Sequence, residues 1–115
     1  MQMPVLSVSV HIAGLDEELR KGLSEALRAL SCRESSCPQS AQIVFCDWNP
    51  AEFTRRLAEF GGKPIVVVSR AGEVAIWLDA LEAGAADYCA PPFEPTQIRW
   101  ILDALIERRS RSAAA

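Results

Sequence analysis

The chain has 115 residues, of which 50% are hydrophobic and 23% are charged, and its formal net charge at pH 7 is −3. This length and balance are typical of one soluble globular domain with a single core. The acidic balance argues against nucleic acid binding, which requires a basic face. The apolar runs are too short to cross a bilayer, and the apolar start, residues 1–12, lacks the basic leader and the cleavage site of a signal peptide.

The cysteine pattern favours reduced thiols. Cys46 and Cys89 lie in apolar strand-like runs, where a thiol acts as a small hydrophobe. Cys32 and Cys37 are interpreted as two free thiols in a loop, with a redox pair as the alternative. No second paired spacing indicates a disulfide framework or a zinc site, and the one histidine, His11, has no partner spacing. We therefore expect a cytoplasmic protein.

The first half of the chain predicts two main strands and one helix. Apolar residues alternate with Ser7 and Ser9, which predicts a strand with one apolar face. The following helix begins near Asp16 and carries its leucines on one stripe, namely Leu19, Leu23, Leu27 and Leu30. The polar stretch 31–41 has room for one short edge strand, and the apolar run 43–46 predicts a buried strand.

The second half continues the alternation. Asn49-Pro50-Ala51-Glu52 combines a capping residue with a proline at the first helical position, so a helix is predicted to start at Pro50 and to stop at Gly61-Gly62. The β-branched run 64–68 predicts a central parallel strand covered on both faces. The next helix is predicted to turn four residues inward: Val74, Trp77, Leu78 and Leu81. A brief strand at 88–90 and a last helix from Pro95 complete the pattern, and that helix is predicted to bury Ile98, Ile101, Leu102 and Leu105.

Alternating strands and helices predict a parallel sheet with right-handed crossovers. Such sheets carry their sites at the carboxyl ends of the strands, near the point where the strand order switches. This rule directs attention to residues 14–16, 47–49 and 69–72.

Three segments of the second half form an ordered pattern. An apolar strand, residues 65–68, ends in Ser69, a helix ends in Ala80-Leu81-Glu82-Ala83-Gly84-Ala85-Ala86-Asp87-Tyr88, and Pro92-Phe93 closes the pattern. In this order they resemble the second half of a bacterial response-regulator receiver domain. Looser matches at 16–20 and 43–47 extend the resemblance to the first half.

The resemblance implies a three-layer α/β, flavodoxin-like fold with a parallel sheet of four or five strands. We expect the receiver-like domain to span residues 1–107 and a polar, frayed tail to span 108–115. The stretch 31–41 leaves no room for the family's second helix, which we expect to be missing or very short. Its loss would explain why Ser7 and Ser9 make one face of the first strand polar.

By position, the resemblance implies a role for several residues. Asp47 matches the phosphoacceptor aspartate, Ser69 the hydroxyl that contacts the phosphoryl group, and Tyr88 the aromatic residue that reorients on activation. Each also has a structural interpretation: Asp47 beside the positive end of the next helix, Ser69 as a turn residue and Tyr88 as packing.

The sequence departs from the family at two positions that carry the chemistry. Pro91 stands where the family has its lysine, which removes a cation and a backbone donor together. The acidic pair that holds magnesium aligns with Gly14-Leu15, so Asp16 and Asp47 remain as a poor pair of metal ligands.

These departures favour a signalling module of a two-component phosphorelay that binds a protein partner, a sensor kinase or an output domain. Phosphorylation is then weak or absent and no cofactor is needed. The alternative is a working receiver that a histidine kinase phosphorylates on Asp47, with magnesium and with Ser69 assisting. An enzyme of another kind is not expected, because no nucleophile and base pair appears.

Two apolar residues, Ile76 and Trp100, fall outside the predicted inward stripes of the last two helices and are predicted to form a contact surface. In receiver domains the last two helices often form dimers, so a homodimer is one predicted partner. The alternative is that Trp100 lies along its helix and covers the edge of the core.

Overall fold

The computed structural model describes residues 8–70 and 74–114, with side chains described as far as residue 107 outside that gap. Five strands form one sheet: β1 (Ser9–Ala13), β2 (Arg33–Glu34), β3 (Ile43–Asp47), β4 (Ile65–Val68) and β5 (Asp87–Cys89). Four α-helices alternate with them: α1 (Glu17–Ala29), α2 (Phe53–Glu59), α3 (Val74–Ala83) and α4 (Pro95–Ala114). All pairings are parallel and the strand order is β2-β1-β3-β4-β5. The predicted three-layer, flavodoxin-like arrangement is confirmed.

The region between β2 and β3 contains one short 3-10 turn, Pro38–Ser40, and no α-helix among these described residues. The predicted loss of the second helix is therefore confirmed. Ser7 lies outside the described residues, while Ser9 and His11 are half-buried. His11 Nδ1 donates to the carbonyl of Ser35 at 2.8 Å, so the loop that replaces the helix is tied directly to β1.

One face of the sheet is covered by α1 and α4. Asp16 caps α1 by accepting a hydrogen bond from the amide of Leu19 at 2.9 Å, so the helix begins near Asp16, as the sequence predicts. The predicted inward residues of α4 are all buried: Ile98, Ile101, Leu102 and Leu105. They pack with Leu23, Leu27 and the sheet residues Val10, Phe45 and Val66 into the larger of two core clusters.

The other face is covered by α2 and α3, and here two predictions were wrong. The first concerns the start of α2. The helix begins at Phe53, because Asn49 to Glu52 form a turn in which the Glu52 amide donates to the Asn49 carbonyl at 3.1 Å. Pro50 therefore occupies the second position of a turn, where its fixed φ is equally favourable.

The second wrong prediction concerns the orientation of α3. Its predicted inward stripe, Val74, Trp77, Leu78 and Leu81, is exposed. Among the ten described residues of α3, Ala80 is the one that is buried, and Ile76 is half-buried. The small side chain of Ala80 therefore sets the face that meets the sheet.

The last helix, α4, is continuous from Pro95 to Ala114, so its backbone does not break after residue 107, where the sequence predicts that the domain ends and a tail begins. The division into a domain and a tail stays a prediction. In the described part of the chain, no helix is both long and apolar enough to span a membrane.

Candidate functional site

The predicted site residues gather at the carboxyl edge of the sheet. Ala13 pairs with Cys46, and Asp47 pairs with Val68, so Gly14, Asp47 and Ser69 lie at the carboxyl ends of three neighbouring strands. This placement follows from the parallel topology and agrees with the prediction from the strand-end rule.

Asp47 is bound to Arg56, a residue for which the sequence predicted no role. Arg56 extends from α2 and places Nη1 2.5 Å from Asp47 Oδ1 and 3.3 Å from the Asp47 carbonyl oxygen. The Arg56 side chain is 18% exposed and that of Asp47 is 35% exposed, so the pair lies at the edge of the interior. The carboxylate that ends β3 therefore already has an internal cationic partner.

The electrostatics of the pair keep Arg56 charged. Burial lowers the pKa of Arg56, but the hydrogen bond and the charge of Asp47, together with Cys46, outweigh burial, and the pKa is raised. Burial also raises the pKa of the neighbouring Cys46 thiol, although Arg56 opposes this shift. A buried protonated thiol is a weak nucleophile, so Cys46 acts as packing. None of the four cysteines forms a disulfide.

Gly14 lies directly against this ion pair. Its φ is +74°, and a Cβ built on it would lie 2.2 Å from Asp47 Oδ1 and 3.3 Å from Arg56 Nη2. Any side chain at position 14 therefore collides with the Asp47 carboxylate as it is placed here. Gly14 stands at the position of the family's acidic pair. The Asp47–Arg56 contact, as placed here, requires that this position has no side chain.

A second arginine neutralises the other candidate ligand. Arg70, which follows Ser69, binds both carboxylate oxygens of Asp16 and also contacts Glu18 Oε2 at 3.1 Å. The hydrogen bond from Arg70, with the Leu19 amide as the second cause, lowers the pKa of Asp16 from 3.8 to about 2. Asp16 and Glu18 in turn raise the pKa of Arg70.

These contacts decide whether Asp16 and Asp47 are free to coordinate a magnesium ion. The ion prefers several free carboxylate and water oxygens in octahedral geometry. Asp16 and Asp47 are each ion-paired to a different arginine. Across residues 8–70 and 74–114, no group of three or more His, Cys, Asp or Glu side chains is placed to hold a metal. As arranged, the donors do not fit the ion.

Three further predicted residues, Pro91, Ser69 and Tyr88, lie in or near the last two strands. Pro91, at the position of the family's lysine, is exposed and joined to Pro92 by a cis peptide bond. The Ser69 amide donates to the Cys89 carbonyl at 3.2 Å, which extends the ladder between β4 and β5. Tyr88 is half-buried and packs against the cluster under α2.

Of the two predicted contact residues, Trp100 is 71% exposed, as predicted. Ile76 is half-buried, and its role in a contact surface stays a prediction.

The roles of Arg56 and Arg70 could have been predicted from two features of the sequence. Phe53, Arg56, Leu57 and Phe60 have the spacing of an inward helix face, and Arg56 is the one cation within it. A cation on an apolar stripe requires an acidic partner at the edge of the core. Arg70 directly follows a strand end, where the carboxyl-edge rule applies.

The chain is similar in sequence to a known transcriptional regulatory protein. No protein-family model matches the chain. The transcriptional regulatory protein ResD of Bacillus subtilis is 31% identical over 98 residues, which cover 85% of this chain and 37% of ResD. The chain therefore spans just over a third of the length of that relative.

Solved structures share the fold at lower identity. A two-component response regulator from Clostridium difficile superposes with a TM-score of 0.71 at 16% identity, covering 90% of this chain and 98% of that one. The pilus assembly protein CpaE from Caulobacter crescentus superposes with a TM-score of 0.60 at 17% identity, covering 85% and 98%.

Proposed function

We propose that this chain, which is a receiver domain of the response-regulator type, signals by binding partner proteins and does not take a phosphoryl group on Asp47. The observation that carries the proposal is the Asp47–Arg56 ion pair. Attack on a phosphoryl donor needs a free carboxylate oxygen and cations arranged around the transferred oxygens. Here Arg56 binds one of the two Asp47 carboxylate oxygens, Oδ1, so the carboxylate already has an internal cationic partner.

The other strand ends support the same proposal. Asp16 is held by Arg70, and Pro91 offers neither a cation nor an amide donor. Compared with the family pattern, the site therefore has two arginines that bind its own carboxylates, and Pro91 stands in place of the lysine that would contact a phosphoryl group. We propose that neither magnesium nor any other cofactor takes part.

The partners we propose are a sensor kinase or an output domain, in the cytoplasm. A homodimer through the last two helices stays a prediction, for which Trp100 on α4 is the exposed candidate. Sedimentation of wild type and Trp100→Ala at micromolar concentration tests the homodimer, which requires that wild type associates and that the variant does so less.

Acetyl phosphate and magnesium, followed by intact-mass measurement, test the lack of phosphorylation. We expect no phosphoryl adduct on wild type. Asp103→Asn is the matched control. Asp103 is an exposed carboxylate on α4 that is paired with Arg99, and it is not one of the predicted site residues. An adduct that persists in Asp103→Asn and disappears in Asp47→Asn would establish the working-receiver alternative.

A further inference from the structure

The helix α3 turns its main apolar stripe away from the core. Five large hydrophobic side chains are exposed among the residues with described side chains, and four of them lie on this helix. They are Val74 at 60%, Trp77 at 44%, Leu78 at 53% and Leu81 at 37% exposure. Their spacing of i, i+3, i+4 and i+7 places them on one face. We call this set the α3 stripe.

Single exposed apolar side chains are ordinary, but four that adjoin on one helix face form a patch of the kind that marks an interaction site. The face that meets the sheet is separate, since it is built from Ala80 and the half-buried Ile76. The stripe is therefore not needed to hold α3 on the sheet.

The charges of α3 are all of one sign. Asp79 and Glu82 are exposed, and the ten residues of α3 include no lysine or arginine. Successive helical residues are separated by about 100°, so Glu82 adjoins Leu78 at i+4 and Asp79 lies beyond it. The stripe thus has an acidic border along its Leu78 side.

We propose that the α3 stripe docks an amphipathic helix of a partner protein whose apolar face is bordered by lysine or arginine. Helix-in-groove recognition reads apolar anchors at this spacing, and charges at the margin select the partner. A second copy docked antiparallel through the same stripe would bring Asp79 and Glu82 close to their own counterparts, which is unfavourable. The inference rests on the proposed function, since it assigns a surface and a chemistry to the partner.

The test is a displayed peptide library. Each member is a helix with leucine at i, i+3, i+4 and i+7, and its border positions are randomised among lysine, glutamine and glutamate. The library is selected on the wild-type chain. We expect lysine borders to be enriched over glutamate borders by about tenfold or more, and the preference to shrink at high salt.

Three variants sharpen the selection. Leu78→Asp breaks the stripe, and we expect it to retain no peptide above background. Trp100→Asp places the same charge at an exposed tryptophan of α4, and we expect it to select like wild type. Asp79→Lys/Glu82→Lys keeps the stripe and reverses its border, and we expect it to enrich glutamate. Far-UV circular dichroism checks that each variant is folded.

Equal enrichment on Leu78→Asp, or no preference between lysine and glutamate on wild type, would overturn the proposal. So would self-association of wild type that Leu78→Asp abolishes, because the stripe would then belong to a second copy. The phosphorylation assay is independent of this outcome. If the selection fails and Asp47 stays unmodified, the docking surface is refuted and the proposed function is not. If Asp47 forms an adduct, the proposed function is refuted, whatever the selection shows.

Discussion

The helices on the two faces of the sheet use similar sequence patterns in opposite ways. In α1, Leu23 and Leu27 lie on a leucine stripe that is buried against the sheet. In α3 an equally regular stripe faces out, and Ala80 faces in. α3 lies beside β5, an edge strand of three residues, and so has little sheet to cover. Periodicity therefore locates an apolar face, whereas the tertiary contacts decide whether that face is a core or a contact surface.

Truncation of a leucine should have very different consequences on these two faces. Leu102→Ala removes a fully buried side chain of α4 and should lower the free energy of unfolding by about 2 to 5 kcal/mol. Leu78→Ala removes an exposed one from α3 and should change it by no more than about 0.5 kcal/mol. Urea denaturation measures both. Similar losses in the two variants would mean that the α3 stripe is part of the core.

Substitution at Gly14 tests the geometry of the site. Gly14→Ala combines a positive φ with a Cβ that meets Asp47 Oδ1, and we expect a loss of about 1 to 3 kcal/mol. Gly61→Ala is the matched control, since its φ is +64° and a Cβ there meets nothing within 4 Å. The difference between the two variants in the free energy of unfolding, measured by urea denaturation, gives the cost of the contact between the added Cβ and Asp47. A Gly14→Ala variant no less stable than Gly61→Ala would refute the placement of Asp47.

Removal of Arg56 should have a smaller effect. Arg56→Met leaves the partly buried Asp47 carboxylate unpaired, which should cost about 1 to 2 kcal/mol. Arg55→Met, one residue earlier, removes an exposed arginine paired with Glu52 and should cost no more than about 0.5 kcal/mol. Thermal or urea unfolding of the pair of variants gives the comparison. Equal stability of the two would indicate that the Asp47–Arg56 contact contributes nothing.

The dependence of stability on pH should change slightly when Asp16 loses its charge. The pKa of Asp16 is lowered from 3.8 to about 2 in the folded state, chiefly by Arg70. A lowered folded-state pKa stabilises the protein above the unfolded value, and this contribution is lost as pH falls from about 4 to about 2. Asp16→Asn keeps a capping side chain and removes the charge, so its urea midpoint should fall less steeply over that range. Parallel curves for wild type and variant would contradict the Asp16–Arg70 pairing.

The sequence predicted the sheet, the start of α1 near Asp16 and the missing helix, because each is encoded locally in periodicity, helix-start residues and loop length. It also placed Asp47 at the edge of the sheet, since that follows from where β3 ends. It did not predict the partners of Asp47 and Asp16. Arg56 and Arg70 lie nine and fifty-four residues from those carboxylates, and only the packing of α2 and the end of β4 brings them together.

Magnesium titration followed by amide NMR shifts tests most directly whether Asp47 is already occupied. The shifts of Asp47 and Gly14 are compared with those of Asp103, an exposed carboxylate that senses ionic screening alone. We predict that Asp47 and Gly14 change no more than Asp103 and show no saturation up to millimolar ion. A saturable shift at Asp47 and Gly14 that is lost in Asp47→Asn would contradict the claim that Arg56 holds this carboxylate.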